Sequence, residues 1–363
     1  MISLLAGPVM FMVLCQAPAA KTEKIYDVKE WGVEGRGWQE AERTRYFDRF
    51  PAKAEKAVPK PVWDLSRDSA GMMARFSTDA KTIKVKYQLM SAALSMPHMP
   101  ATGKSGLDLY ARDDAGKWRW LAVTMPTAQN VEAELPGSPQ GVREFALYLP
   151  LYNGVESLQI TVPSSAQFTP LPPRKEKALL FYGTSITHGA CASRPGMVHT
   201  AILGRRLNMP VINLGFSGNG RMDPGVGEWL AKEDPAVYVI DCLPNMGPKD
   251  VTERTVPLVK ALRKAHPDAP IILVEDRVFT NAWANPAKKK FHEQNHAALK
   301  KEFEKLKADG VSNLFYIAGD HLLGDDSEGA TDASHPNDLG FMRQADAFEP
   351  VIREALNKPA KAR

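Results

Sequence analysis

The chain has 363 residues and a net charge of +4; 44% of its residues are hydrophobic and 24% are charged. This length favours about two domains, and the composition is that of an ordinary globular protein. The charge excess is small and no long basic block is present, so nucleic acid is excluded as an expected partner.

The first twenty residues predict export. Residues 1–14 are almost entirely apolar, and Ala17 and Ala19 occupy the −3 and −1 positions of an A-x-A cleavage site. This is the pattern of a secretory signal peptide, so we expect residues 1–19 to be removed and the protein to be periplasmic or extracellular. Removal leaves Cys191 and Cys242, which either form one disulfide or remain two buried thiols. No later segment has the roughly 18 apolar residues of a membrane span.

The first half of the mature chain predicts an all-β domain. Residues 21–60 have no clean period, but between residues 71 and 162 short strand patterns follow one another without a helical pattern between them. The segment TIKVKYQL, residues 82–89, alternates as a half-buried strand does. The other strand patterns lie at residues 73–77, 107–111, 118–123, 144–149 and 158–162. We therefore predict a jelly-roll-like β-sandwich over residues 20–170.

The second half predicts an α/β domain. A stretch rich in proline and charge precedes it, and residues 171–177 are typical of a linker. Strands are predicted at 179–182, 211–214, 237–241, 271–274 and 314–317, and helices at roughly 197–207, 225–232, 252–265, 288–308 and 339–356. This alternation predicts a doubly wound, mostly parallel five-stranded sheet over residues 178–357, followed by a tail of residues 358–363.

Four polar stretches each follow a strand of the predicted sheet. They are GTSITHG with Ser185, GFSGNG with Gly218, LPNMG with Asn245, and DASHP with Asp332 and His335. Because parallel strands end at one edge of a sheet, we expect the four stretches to meet there. Together they contain the residue types that acyl transfer needs: a nucleophile, a base, a group that orients the base, and donors to an oxyanion.

Each residue also has a simpler structural interpretation. Ser185 could cap a helix in a turn rich in Ser and Thr, and Asn245 could cap another helix. Gly218 could serve only a turn that requires a positive φ. The acidic residues near the last strand could bind a cation or form a solvated loop; they are Asp320, Asp325, Asp326 and Glu328.

In their order along the chain, the four stretches resemble the blocks of the SGNH hydrolases, the GDSL-like esterase superfamily. The most specific block is Asp-x-x-His-Pro at residues 332–336, which is followed by Gly340 and a closing helix. The resemblance covers about residues 178–357 and implies a flavodoxin-like fold. It also implies a serine esterase that needs no metal or other cofactor.

The resemblance implies a role for each candidate residue. Ser185 corresponds to the nucleophile, His335 to the general base and Asp332 to the group that orients this base. The backbone N–H groups of Ser185 and Gly218 and the side-chain amide of Asn245 correspond to the oxyanion hole.

Some positions depart from the usual motifs. Thr184 stands where the namesake motif has Asp, and residues 243–246 lack the Gly and the following Asp of the usual GxND block. The order Ser, Asp, His also fits α/β-hydrolases, but these place the serine in G-x-S-x-G and this chain has Thr187 in place of the last glycine. Residues 106–110, GLDLY, resemble the GxDLY domain that precedes a subgroup of SGNH esterases; this resemblance covers about residues 25–170.

A short acyl ester of a carbohydrate, small or polymeric and most simply an acetyl ester, is the expected substrate. Export places the enzyme among polysaccharides, and polar and aromatic residues near the four blocks suit a sugar ring better than a long acyl chain. These are Arg194, Asn219, Arg221, Arg277, Trp229 and Trp283. Two alternatives to an esterase remain: an acyltransferase that uses the same site, and a carbohydrate-binding protein whose hydrolase domain is only a scaffold. The sequence does not predict the oligomeric state.

Overall fold

The structure, a computed structural model, describes residues 22–357. The predicted signal peptide, residues 1–19, and the tail, residues 358–363, lie outside this range. Among the described residues, no helix combines the length and the apolar character that crossing a membrane requires.

Nine strands form two antiparallel sheets in the first half of the chain. They are β1 (Glu23–Asp27), β2 (Met73–Thr78), β3 (Thr82–Leu89), β4 (Asp108–Arg112), β5 (Trp118–Val123), β6 (Asn130–Pro136), β7 (Arg143–Tyr148), β8 (Val155–Pro163) and β9 (Phe168–Leu171). One sheet has the order β1-β8-β3-β6 and the other β5-β4-β7-β2-β9. In β3 the apolar side chains are buried and the polar ones between them are half-buried or exposed, as the alternation predicts. The predicted β-sandwich is confirmed.

Five parallel strands form the sheet of the second half. They are β10 (Leu179–Gly183), β11 (Val211–Gly215), β12 (Val237–Asp241), β13 (Ile271–Val274) and β14 (Leu314–Ile317). The order is β11-β10-β12-β13-β14, and every neighbouring pair is parallel. This is the flavodoxin-like order with its switch point beside the first strand, which confirms the predicted fold class.

Helices cover both faces of this sheet. The helices of the described chain are α1 (Lys60–Leu65), α2 (Ala101–Lys104), α3 (Ser185–His188), α4 (His199–Leu207), α5 (Pro224–Leu230), α6 (Pro248–Ala265), α7 (Pro286–Ala308) and α8 (Asp338–Asn357). Leu180 and Tyr182 pack in one core with α5, α6 and α7, whereas Leu179 and Phe181 pack in a second core with α4 and α8. The period of two in β10 thus sends alternate side chains to opposite helical layers.

The irregular segment between β1 and β2 packs into the α/β core. The Phe50 ring stacks on Phe216 at 5.5 Å between centroids, and Trp63 belongs to the same buried cluster. Arg49 is fully buried and donates hydrogen bonds to the carbonyls of Asn213 at 3.2 Å and Gly215 at 2.7 Å. A segment between two strands of the sandwich therefore helps to build the second domain.

Candidate active site

Ser185 lies at the carboxyl end of β10, as the first residue of the short helix α3. Thr184 caps this helix, because its hydroxyl accepts a hydrogen bond from the Ile186 N–H at 3.3 Å. The Ser185 hydroxyl is consequently not used as a cap. Its Oγ lies 2.8 Å from Nε2 of His335.

Asp332 holds His335 in the orientation that this contact needs. His335 Nδ1 lies 2.8 Å from Asp332 Oδ2, and the backbone N–H groups of Ser334 and His335 donate to Asp332 Oδ1 at 3.0 and 2.7 Å. Burial acts to raise the pKa of Asp332, but the hydrogen bonds from His335 outweigh it, and the pKa lies below its ordinary value. The carboxylate therefore accepts the Nδ1 proton, and Nε2 is left as an acceptor for the Ser185 hydroxyl.

The loop after β13 supports the loop that carries Asp332 and His335. Arg277 is only 4% exposed; its Nε donates to the Ser334 carbonyl at 2.8 Å, and its guanidinium also contacts the Ser334 hydroxyl and Asp276. Three residues further on, the Thr280 N–H donates to the Ala333 carbonyl at 3.0 Å. Ala333 has a φ of 68°, which a side chain disfavours, so this bond helps to hold a strained turn.

The loop after β11 lies directly against the loop of Ser185. A Cβ on Gly220 would come within 2.1 Å of the Gly183 carbonyl, so only glycine allows this close approach. The Gly220 N–H also donates to Asn245 Oδ1 at 3.2 Å, which orients the Asn245 amide and leaves its NH₂ group for another acceptor. Gly218, at φ 71°, does occupy a left-handed turn and is exposed on this loop. The loop that carries Gly218 thus contacts the segment next to Ser185, and the side chain of Asn245 contacts the loop that carries Gly218.

The β-sandwich domain adds residues to the site that sequence reasoning missed. The Tyr152 hydroxyl donates to the Ser185 carbonyl at 3.2 Å, and its ring stacks on His188 at 3.9 Å between centroids. The His98 ring faces the His335 ring, with centroids 6.0 Å apart and an angle of 29° between the ring planes. Both residues belong to connections in the other domain, so no local pattern around the four predicted blocks could have identified them.

The GLDLY motif binds the segment that follows the Ser185 loop. The Asp108 side chain is completely buried and accepts hydrogen bonds from the Gly196 N–H at 2.7 Å, from Arg194 at 3.0 Å and from the Trp120 indole at 2.8 Å. A Cβ on Gly196 would come within 2.4 Å of the Tyr110 ring, so the motif and this segment are in close contact. The motif thus joins the two domains near the candidate site.

Cys191 lies beside Asp332 and His335, and the ligand atoms of the three are within 4.8 Å of one another. Metal binding requires a thiolate, but burial raises the pKa of Cys191 to about 11, so the thiol is protonated at neutral pH. Asp332 and His335 already bond each other. The group therefore fits an acid–base pair better than a metal site.

Cys191 and Cys242 are both buried free thiols, so the alternative of two unpaired thiols applies and not the disulfide.

Most of the residues expected to suit a sugar have other partners. Arg194 and Arg277 are bound to Asp108 and Ser334, and Trp229 is buried in the core of the α/β domain. Arg221 donates to the carbonyl of Gly218, and the Asn219 side chain donates to the carbonyl of Ser217. Trp283, in contrast, is 81% exposed. Two of the acidic residues that follow the last strand have partners: Asp326 forms an ion pair with Arg343 at 2.7 Å, and Asp325 contacts His321.

Comparison with known families accounts for both halves of the chain. Residues 176–353 match the GDSL-like Lipase/Acylhydrolase family, and residues 24–168 match the N-terminus of the SGNH hydrolase-type esterases. No curated protein sequence matches the chain.

Three solved structures illustrate the similarity. A protein from Bacteroides ovatus described as a GDSL-like lipase has 35% identity and a TM-score of 0.87, covering 94% of this chain and 100% of its own. A salicylyl-acyltransferase from a tetracycline biosynthetic pathway has 18% identity and a TM-score of 0.74, with the same coverage of 94% and 100%. An acetyl xylan esterase from Butyrivibrio proteoclasticus has 11% identity and a TM-score of 0.55, covering 92% and 98%. The last two show similarity of fold alone.

Proposed function

The chain belongs to the GDSL-like lipase/acylhydrolase family and is a carboxylic ester hydrolase, and from this premise we propose that Ser185, His335 and Asp332 form its catalytic triad. The observation that carries the proposal is the pair of 2.8 Å contacts that link Ser185 Oγ to His335 Nε2 and His335 Nδ1 to Asp332. This is the geometry in which a histidine takes the proton of a serine hydroxyl while a carboxylate stabilises the resulting imidazolium.

In the proposed reaction, Ser185 Oγ attacks the ester carbonyl carbon and its proton passes to His335 Nε2. The negative charge that develops on the carbonyl oxygen is bound by the N–H groups of Ser185, Gly218 and the Asn245 amide. The intermediate collapses to an acyl-enzyme when the bond to the alcohol breaks, and His335 returns the proton to the departing alkoxide. A water molecule then attacks the acyl-enzyme carbonyl while His335 takes one of its protons. The bond between the acyl group and Ser185 Oγ breaks, His335 returns this proton to Ser185 Oγ, and the acid is released.

A fluorophosphonate, which phosphonylates activated serines, tests the nucleophile. We expect stoichiometric labelling of the wild-type enzyme at Ser185 and none of the Ser185→Ala variant. Failure to label the folded wild-type protein would favour the alternative of a carbohydrate-binding protein whose hydrolase domain is only a scaffold.

We further propose that the enzyme is exported and that it removes short acyl groups, most simply acetyl groups, from carbohydrates. The predicted signal peptide supports export. The shared fold of the acetyl xylan esterase supports the substrate by analogy of architecture. Activity on p-nitrophenyl esters from acetate to palmitate, beside acetylated xylan and acetylated monosaccharides, tests the proposal. A preference for chains of eight carbons or more without release of acetate from sugars would contradict it.

An acyltransferase is the second candidate, because the salicylyl-acyltransferase matches both domains of this chain in fold. The two activities differ only in whether water or an acceptor hydroxyl resolves the acyl-enzyme. Product analysis with an added sugar acceptor distinguishes them: free acid indicates a hydrolase, and a new sugar ester indicates a transferase.

A further inference from the structure

A cleft opens at the carboxyl edge of the α/β sheet, between the loop after β13 and the loop after β14. Its volume is about 270 Å³, and Phe279, Trp283, Asp320 and Asp325 are among the residues that line it. The cleft is attached to the loop of the candidate triad, because the Thr280 N–H in its wall donates to the Ala333 carbonyl at 3.0 Å. Ser327, on the opposite wall, donates its hydroxyl proton to the Thr280 carbonyl at 2.8 Å.

Trp283 is the feature of this cleft that internal packing does not explain. The side chain is 81% exposed, although the neighbouring Ala282 is buried and anchors the short helical turn that both residues share. Within residues 22–357, no ring or cation packs against the Trp283 indole. Phe279 differs, because Arg277 and Lys288 each lie 4.9 Å from its ring centroid. The indole is thus an apolar face presented to solvent on an anchored backbone.

The polar groups of the cleft limit what could cover this indole. Asp320 is an exposed carboxylate that accepts hydrogen bonds only, whereas Asp325 contacts His321, which also lines the cleft. Asp320 therefore suits a ligand that offers hydroxyl donors. A pyranose combines an apolar C–H face, which stacks on an aromatic ring, with hydroxyl donors around its rim.

We propose that this cleft is a subsite for an uncharged sugar ring, in which Trp283 is the stacking platform and Asp320 accepts hydrogen bonds from sugar hydroxyls. This inference rests on the proposed carbohydrate esterase function and adds where the sugar binds. The subsite contributes to binding of a glycosidic substrate and takes no part in the transfer of the acyl group.

The test compares two substrates on the full chain. For Trp283→Ala we expect KM for acetylated xylo-oligosaccharides to rise about tenfold, since loss of an aromatic contact of about 1.4 kcal/mol is a factor of ten. We expect kcat on that substrate, and both constants on p-nitrophenyl acetate, to stay within about twofold. Trp283→Phe should recover most of the loss, because it restores an aromatic face.

Met125 offers a matched control for the loss of an exposed apolar side chain. Met125 is 77% exposed on the sandwich domain, so Met125→Ala removes an exposed apolar side chain outside the cleft and should leave kcat and KM unchanged for both substrates.

Three outcomes would contradict the proposals. If Trp283→Ala releases acetate from the oligosaccharide with an unchanged KM, the subsite is overturned and the proposed function stays intact. A changed preference for p-nitrophenyl acyl length would assign the cleft to the acyl group and also overturn the subsite. If the wild-type enzyme hydrolyses p-nitrophenyl acetate but no sugar ester, both proposals fail.

Discussion

The hydroxyl of Ser185 is available for chemistry because a neighbouring side chain, that of Thr184, caps the helix on which it sits. The proton of that hydroxyl has a basic group within reach, Nε2 of His335 at 2.8 Å. Asp332 receives three hydrogen bonds and keeps its charge, so it can compensate the positive charge that His335 acquires. In the proposed triad, one proton thus moves between Ser185 and His335 while Asp332 stabilises the charge.

Replacing the proposed nucleophile should abolish activity without affecting the fold. We expect Ser185→Ala to lower kcat on p-nitrophenyl acetate by at least ~10³-fold, since loss of one triad member disables the whole unit. The change removes one buried oxygen, so the circular dichroism spectrum and Tm should stay close to those of the wild type. Near-full turnover in a folded variant would refute the assignment.

The Asn245 amide should act mainly in the transition state. We expect Asn245→Ala to lower kcat by about 10²–10³-fold with little change in KM, because an oxyanion donor is lost. The loop itself should persist, since the Gly220 N–H retains a second acceptor, the Phe216 carbonyl at 2.9 Å. An unchanged kcat would mean that the amide points away from the reacting ester.

Asp241 should make the stability of the protein depend on pH. Burial, helped by the nearby Asp276 carboxylate, raises the pKa of Asp241 to about 7. The folded state therefore holds this proton more tightly than the unfolded state, and the contribution of Asp241 to stability falls as pH rises from about 4 to 7.

The neutral variant Asp241→Asn removes this dependence. Relative to the wild type, its free energy of unfolding should be roughly 2–3 kcal/mol larger at pH 8 than at pH 5, measured by urea denaturation, so the variant gains relative stability as pH rises. The exposed Asp114→Asn variant serves as the control and should show no such difference. If the difference in free energy of unfolding between Asp241→Asn and the wild type does not change with pH, the raised pKa of the buried Asp241 carboxyl is contradicted.

At the scale of elements, the strands and helices of the α/β domain were predictable because their periods and lengths are local properties of the sequence. The block of Asp332 and His335 was equally accessible, since both residues lie in one short loop. The strands β1 and β9 were not predicted, because they have only five and four residues and pairing with β8 and β2 stabilises them. The strand β6 was also not predicted, although its apolar and polar residues alternate over Asn130–Pro136. The partners of the GLDLY motif could not be inferred either, because Arg194 and Gly196 lie far along the chain.

The loop after β13 should act on catalysis through the loop that it supports. We expect Arg277→Ala to lower kcat about 10- to 100-fold with a smaller effect on KM, because His335 loses the fixed position that the Ser334 contacts provide. Arg277→Lys should restore only part of the activity, since an ammonium cannot reproduce the forked contacts of the guanidinium.

A matched control separates this effect from general damage to the loop. Like Arg277, Lys288 contacts the Phe279 ring, with its Nζ 4.9 Å from the ring centroid, but it does not bond the Ser334 carbonyl; Lys288→Ala should therefore leave kcat unchanged. Assays well below the Tm of each variant exclude loss of folded protein. Equal activity of Arg277→Ala and Lys288→Ala would show that Arg277 does not position the triad.

At the scale of the whole molecule, the chain behaves as two folds with a shared interior. The motifs predicted two successive units, but they could not predict that residues 50–65 pack in the α/β core, because this segment has no regular period. Phe50, Ala54 and Val62 are buried there with Phe216 and Leu214 of the second unit. The sandwich domain in turn supplies Tyr152 and His98 to the candidate site. Stability and activity should therefore depend on both halves together.

The shared interior leads to a last prediction, that both halves unfold in one cooperative transition. Phe50→Ala removes a completely buried ring that stacks on Phe216, so we expect it to lower the free energy of unfolding by about 3–5 kcal/mol. The loss should shift the transitions of both domains equally, because Phe50 lies in the sandwich half of the sequence and in the α/β half of the structure. Ile25→Ala, at a strand residue that is 65% exposed, should shift neither by more than about 0.5 kcal/mol. Calorimetry and the loss of esterase activity, followed against temperature, should then give the same midpoint; two separate transitions, of which Phe50→Ala moves only one, would mean that the halves are independent.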